Sequence, residues 1–383
     1  MSDTLTGGDL VQLVKRVFQP ASEDTGLAVL VDLPDDRLPD NPRWKDRRAM
    51  AADWVRKLNQ EIEALGLPRV TLAWYPNAGG NNADLPETCV VGAGEEVLDS
   101  AAQLAGRAAI QFRDLFETHS LVIAPTELSA TAPLKMMVKD IAVRAATMPG
   151  FLASMIPALK IDYTEVNRRV NLIKDIVDPA VSATAVFRAR GKEHTLVLDL
   201  RHRKGHASGG LFPDNGTAGN LPSGETYIVP YEGEVEGEAS RTSGTLPVQF
   251  GDEVVVYRID RNRAVEVMSE GAKSRAERDL LVAEPAYANL AELGLGVLGD
   301  FNLKPTGSIL LDEKLGLHIA FGRSDHFGGI VGPGDFSKPE AVVHIDRVYI
   351  KEMQPDIDVV SLVVEGPEGA REIMRDGCYR GVF

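Results

Sequence analysis

An α/β N-terminal domain followed by a complex α+β C-terminal domain is the fold class that this sequence predicts. Three observations predict it. Compact apolar runs of strand length alternate with amphipathic stretches of helix length through about the first 150 residues, the pattern of a layered domain with a largely parallel sheet. From about Thr147 the texture changes, and beyond Asp178-Pro179 short strands bounded by Gly, Asn, Asp and Pro dominate. At 383 residues the chain is also too long for one ordinary core. The boundary is placed near residue 180, giving an α/β layered domain over 1–180 and an α+β domain over 181–383.

In chain order, residues 1–20 form a short helix with Leu10, Leu13, Val14 and Val17 on one face. Leu27 to Leu33 is a β-branched apolar strand, and Trp44 to Leu65 is a helix with Met50, Trp54, Leu58 and Ile62 spaced at four. Arg69 to Tyr75 is a second strand, and 77–84 is a Gly/Asn-rich loop. That loop lacks the GxGxxG spacing of a dinucleotide site, which argues against a Rossmann cofactor. Ala101 to Phe116 reads as a helix, Leu121 to Ala124 as a strand and Lys135 to Ala146 as a helix. The intervening loop PTELSATAP is read as a polar connection, although ligands of such folds bind at that end of the sheet. Tyr163 to Ile176 is helical. Strands follow at 183–188, 195–200, 226–230, 253–260 and 264–268, then a charged helix at 273–281, then strands to about 364.

Composition excludes several classes. Lys and Arg number 41 against 56 Asp and Glu, so no basic face for nucleic acid is expected. Two distant cysteines, Cys89 and Cys378, exclude a disulfide framework and a cysteine zinc site. No signal peptide and no membrane-length apolar run is visible, so a cytoplasmic protein without a membrane partner is expected.

The chemistry concentrates in four places. His344-Ile345-Asp346 lies on an alternating strand, so that His344 and Asp346 share a side and can hold one ion. His318 leads the apolar strand of GLHIAFG. Glu225 sits between a Pro-Ser-Gly turn and a β-branched strand in NLPSGETYIVP, and Glu292 enters the apolar, glycine-spaced AELGLGVLG, where a charge needs a partner. Each alone also reads as a core histidine or a turn carboxylate. Together these five donors can hold two divalent ions about 3.5–4 Å apart if one carboxylate bridges.

NLPSGETYIVP, ELGLG, LDEKLGLHIAFG and HID, in that order, resemble the aminopeptidase T family of thermophilic-metalloprotease-like aminopeptidases. The resemblance extends more faintly through RAATMPGF and IDYTEVNRRV and covers roughly residues 140–350. It implies a two-domain homodimer with two divalent metal ions, zinc or cobalt, in an enclosed site. Carried over residue by residue, it places the metal ligands at Glu225, Glu292, His318, His344 and Asp346.

Two departures stand out. Where the family has a tyrosine that assists at the substrate carbonyl, this chain has Asp325 followed by His326. Leu298 replaces an asparagine after the ELGLG segment. An ionised aspartate repels a developing oxyanion. Either His326 or Arg323 polarises the carbonyl, or the chemistry is not peptide hydrolysis.

The leading expectation is therefore a metal-dependent hydrolase that cleaves an amide bond of a small or N-terminal substrate with metal-activated water. Glu292 or Glu313 is the base, and Arg323, Asp325 and His326 stand near the carbonyl. A related branch opens a dihydroxypyridine ring with one ferrous iron and dioxygen, and His318, His344 and Asp346 supply its two-histidine, one-carboxylate count. Glu225 and Glu292 favour two metals over one. A third reading, an inactive binding homologue, is opposed by the intact ligand set. The glycine-rich 327–334 and the basic loop with His202 and His206 are read as structural.

Overall fold

The computed structural model describes residues 4–383, so the first three residues of the helix expected over 1–20 lie outside the described residues. The fold is mixed α/β with three sheets, and the chain divides into two compact units. One comprises the residues through Glu165 together with Ser208–Ser223 and Thr306–Leu311. The other comprises Val166–Ala207, Gly224–Pro305 and Asp312–Phe383. Where the sequence suggests one boundary near 180, the chain passes between units five times, first after Glu165. Among the described residues no helix is long and apolar enough to cross a membrane.

The first unit is built on a seven-stranded sheet. Thr217–Asn220, Arg144–Thr147, Leu121–Ala124, Leu27–Leu33 and Val70–Pro76 run parallel, and Thr88–Gly92 and Ala109–Gln111 continue it antiparallel. Leu27–Leu33 is buried along its whole length, as a central strand covered on both faces must be. The helix Gly7–Phe18 opens with a capping box between Thr6 and Asp9, and Pro42–Gln60 opens on Asn41 with proline in its first turn. Asp32 lies buried at a strand end and accepts hydrogen bonds from Trp44 Nε1 and from the Glu127 and Leu128 amides. The loop 125–133 is thus tied down at the end of its strand. Burial pushes the Asp32 carboxyl up to about 6.

Two helices expected here are not formed. Over 101–116 there is a short 3₁₀ turn at Ala101–Leu104, the edge strand Ala109–Gln111 and a helix only at Phe112–Thr118. Gly106, at φ +76°, stops the first turn, and pairing with Thr88–Gly92 claims the next segment. Over 135–146 the helix Thr131–Met137 ends early, and Arg144–Thr147 becomes a fully buried strand beside Leu121–Ala124. Tertiary pairing overrides the helical preference of Ala145 and Ala146.

The second unit contains an eight-stranded antiparallel sheet, ordered Arg263–Val267, Glu253–Asp260, Ser243–Phe250, Lys192–Asp199, Ser182–Ala189, Ile357–Gly366, Gly369–Arg375 and Cys378–Tyr379. The charged helix is present as Ala272–Ala283. Four strands of a five-stranded sheet carry the chemistry: Glu225–Ile228, Leu290–Gly296, Leu317–Gly322 and His344–Val348 lie side by side, antiparallel, and His206–Ser208 is the fifth, beyond Glu225–Ile228.

Candidate metal centre

Register brings the five donors together. Glu292 stands opposite Ala320, which stands opposite Asp346; Gly294 stands opposite His318; Glu225 stands opposite Gly296. Residues facing each other across antiparallel strands share a sheet face, so one face collects the donors and the other collects Leu293, Leu295, Ile319 and Phe321 for the core. An irregularity between Leu290 and Glu292 makes this possible. It sets Leu290 against Phe321 on the apolar face and turns Glu292 to the other.

The glycines of ELGLG make the room. A Cβ on Gly294 would lie 1.8 Å from His318 Nε2, so the imidazole occupies the space a side chain would fill. A Cβ on Gly296 would lie 2.3 Å from the Lys314 backbone, so the turn Glu313–Leu315 is also admitted by a missing side chain. Leu298, in place of the expected asparagine, packs its Cδ2 within 2.4 Å of where a Gly224 Cβ would stand. It fixes the chain just before Glu225 by apolar contact.

Two donor triads result, Glu225–Glu292–His318 and Glu292–His344–Asp346, the atoms of each within 4.8 Å of one another. Glu292 serves both. Its Oε1 is 3.2 Å from His318 Nε2 and its Oε2 is 3.3 Å from His344 Nε2. His344 Nε2 is also 3.3 Å from Asp346 Oδ1, and His318 Nε2 is 3.6 Å from Glu225 Oε2.

The hydrogen-bond pattern tests whether a cation fits. His318 Nδ1 lies 3.2 Å from the Gly316 carbonyl and His344 Nδ1 2.8 Å from the Arg323 carbonyl. A carbonyl only accepts, so each Nδ1 carries the hydrogen and each Nε2 of a neutral ring presents a lone pair to carboxylate oxygens. Lone pair against lone pair is stable only with a cation between them, whether proton or metal. Among the described residues the buried Glu225 Oε2 has no hydrogen-bond partner. Backbone-anchored Nδ1 and free Nε2 are what metal-holding histidines use. The residues fit a divalent ion.

The electrostatics agree. Burial works against a charged His318, yet Glu292, Asp346 and Glu225 outweigh it and push the imidazole up to about 10; His344 is raised likewise, led by Asp346 over the same burial cost. Burial would raise Glu292 and Asp346, but the two histidines hold both carboxyls low.

Glu313 and Lys314 belong to the same cluster. Lys314 is fully buried, 3.4 Å from Glu225 Oε1 and in contact with Glu313 Oε1; the surrounding carboxylates raise it against the cost of burial. Glu313 is pushed up to about 8, first by burial and then by Glu225 and Asp346. Two carboxylates, Glu225 and Glu313, thus share the Lys314 ammonium.

Arg323, Asp325 and His326 stand at the rim rather than among the donors. Arg323 Nε is 2.6 Å from Asp325 Oδ1, and His326 Nδ1 is 3.5 Å from the same oxygen. Burial and the neighbouring His344 hold His326 down to about 4. Its ring lies 5.4 Å from that of His344. His202 pairs with Glu238 on the surface, whereas His206 stacks on Tyr227 with ring centres 5.1 Å apart. Lys314, Tyr227 and Phe327 are absent from the sequence-based set. The signal for Lys314 is its place between Glu313 and an apolar strand.

No family model matches the chain. Aminopeptidase T from Thermus thermophilus is 32% identical over 174 residues, 42% of this chain and 40% of that protein. The resemblance to aminopeptidase T holds. The matched stretch spans less than half the length of that curated relative. Among solved structures, 2,5-dihydroxypyridine dioxygenase from Pseudomonas putida aligns over 98% of both chains with a TM-score of 0.62 and 14% identity. AmpT from Thermus thermophilus aligns over 97% of this chain and 99% of its own with a TM-score of 0.53 and 16% identity. At those identities the two structures establish a shared fold.

Proposed function

We propose that this chain is a metal-dependent hydrolase of the aminopeptidase kind, cleaving an amide bond of a small or N-terminal substrate. The observation that carries the reading is the pair of donor triads joined through Glu292. Glu225, Glu292 and His318 would hold one divalent ion, zinc or cobalt, and Glu292, His344 and Asp346 a second. Ions so placed supply Lewis acidity and a water of lowered pKa.

The chain's own residues do the rest. The Gly316 and Arg323 carbonyls fix the ring orientation of His318 and His344. Both oxygens of Glu292 are engaged by histidines, whereas Glu313 is bonded through one oxygen to Lys314. Glu313 is therefore the freer group to accept the water proton and return it to the leaving amine. Lys314 holds Glu225 and Glu313 in place.

A second reading, oxidative ring opening of a hydroxylated aromatic on a single iron, is favoured by one feature. The tyrosine expected by the peptidase resemblance is Asp325, while His318, His344 and Asp346 retain the two-histidine, one-carboxylate count. Glu225 and Glu292 weigh against it.

Metal analysis of protein purified without chelator, alongside hydrolysis of aminoacyl p-nitroanilides, separates the two. The hydrolase reading expects about two zinc-like ions per chain. It also expects His344→Ala to lose activity by at least ~10²-fold with the fold intact. One iron with oxygen uptake on 2,5-dihydroxypyridine would transfer the chain to the second reading. Absence of amide hydrolysis after metal reconstitution would remove the first.

A further inference from the structure

We propose that Tyr227 is a catalytic residue of this centre, its phenol donating to the substrate carbonyl the hydrogen bond that Asp325 cannot supply. The inference rests on the amide-hydrolase reading. Tyr227 lies two residues beyond Glu225 on the strand Glu225–Ile228, so the two side chains share the face that carries the donors. It stands in register with Gly294, which stands in register with His318. Gly294 puts no side chain between Tyr227 and the His318 imidazole, which lies over the glycine. The Tyr227 ring stacks on His206 and meets Phe327 at 4.7 Å, and Phe327 meets His344 at 5.4 Å. Tyr227 is thereby held on the donor face, one ring away from His344.

Its hydroxyl has no hydrogen-bond partner among the described residues, and the residue is half-buried. For packing against Phe327 a phenylalanine would serve as well, so the oxygen needs another reason to be there. A phenol is a neutral donor and does not repel a carbonyl oxygen as negative charge develops on it. Asp325 is a carboxylate already engaged by Arg323, and Arg323 is engaged by Asp325. Of the neutral donors that remain, Tyr227 lies on the strand face that carries the metal donors, whereas His326 stands at the rim beside Asp325.

The test is Tyr227→Phe in the full chain, assayed after zinc reconstitution with L-leucine and L-phenylalanine p-nitroanilides. The expected result is a kcat lower by roughly 10²–10³-fold. KM should stay within about threefold of wild type, with metal content and melting temperature unchanged. Calorimetric titration supplies a readout independent of turnover. The phosphonate analogue of leucine, which mimics the tetrahedral state, should lose at least ~10-fold in affinity while L-leucine itself does not. A kcat within about threefold of wild type overturns the proposal and leaves the hydrolase reading standing. So does a kcat loss seen with His326→Gln but not with Tyr227→Phe. A reconstituted wild type that hydrolyses neither anilide and prefers neither ligand overturns the hydrolase reading, and this assignment with it.

Discussion

Gly294 is the smallest residue of the centre and among the least free to change, since a methyl group there would collide with the His318 ring nitrogen. Gly294→Ala is expected to displace that imidazole, lowering zinc affinity by about 10–100-fold and stability by about 1–3 kcal/mol. Titration calorimetry and thermal melting read both, and a wild-type zinc affinity would show that the imidazole is not a ligand. The five nitrogen and oxygen donors are legible in the sequence because each sits in or beside an apolar strand, where a charged group needs a partner. Lys314 is not legible in that way. Beside Glu313 it reads as half of an ordinary solvated pair, and only the fold reveals that its ammonium is buried against two carboxylates. Tyr227 is hidden for the opposite reason, because an aromatic residue in a strand is the commonest of core residues.

At the scale of elements, strands marked by continuous apolar runs, such as Leu27–Leu33 and Leu317–Gly322, are readable from sequence. Arg144–Thr147 and Ala109–Gln111 are not, because their small or polar residues take strand form only through their neighbours. The loop after Gly322 is held in a way no local pattern signals. Buried Glu232 accepts hydrogen bonds from Ser324 Oγ at 2.6 Å, the Ile330 amide at 2.6 Å and Asn289 Nδ2 at 2.7 Å, and lies 3.3 Å from Arg203. This one carboxylate fastens the segment that carries Asp325, His326 and Phe327. Glu232→Ala is expected to cost about 1–3 kcal/mol, since it removes the acceptor shared by Ser324, Ile330 and Asn289, while Arg203 keeps its contact with Glu234. Hydrogen exchange at 324–331 should quicken more than in the neighbouring strand Leu290–Gly296. Equal protection in the mutant would mean that the loop is held by its turn geometry instead.

For the whole molecule, the α/β and α+β textures are readable from composition and periodicity, but the path of the chain is not. A single boundary near 180 follows from where helices become scarce, whereas the compact units exchange segments at 208–223 and 306–311. Such returns leave no mark in local pattern because each returning piece is short. A fragment ending at residue 180 lacks Thr217–Asn220, which pairs along the full length of Arg144–Thr147. That fragment is expected to be poorly soluble or to melt well below the intact chain, whereas one extended through 223 should fare better. Circular dichroism melts of the two fragments decide the matter; equal stability would make the returning strand dispensable.

The same returning strand has a meaning in time as well as in space. A ribosome delivers residues in order, at about 5–20 per second, and domains generally fold as units, the N-terminal one first. Here the outer strand of the first sheet is completed at Asn220, and Glu225 follows five residues later. The earliest donor of the acidic cluster therefore leaves the ribosome just as the preceding sheet gains its edge, while Glu292, His318, His344 and Asp346 are still to be made. For that interval a lone carboxylate waits in water, where it is harmless, and the charge-dense centre is assembled only when its last strand arrives.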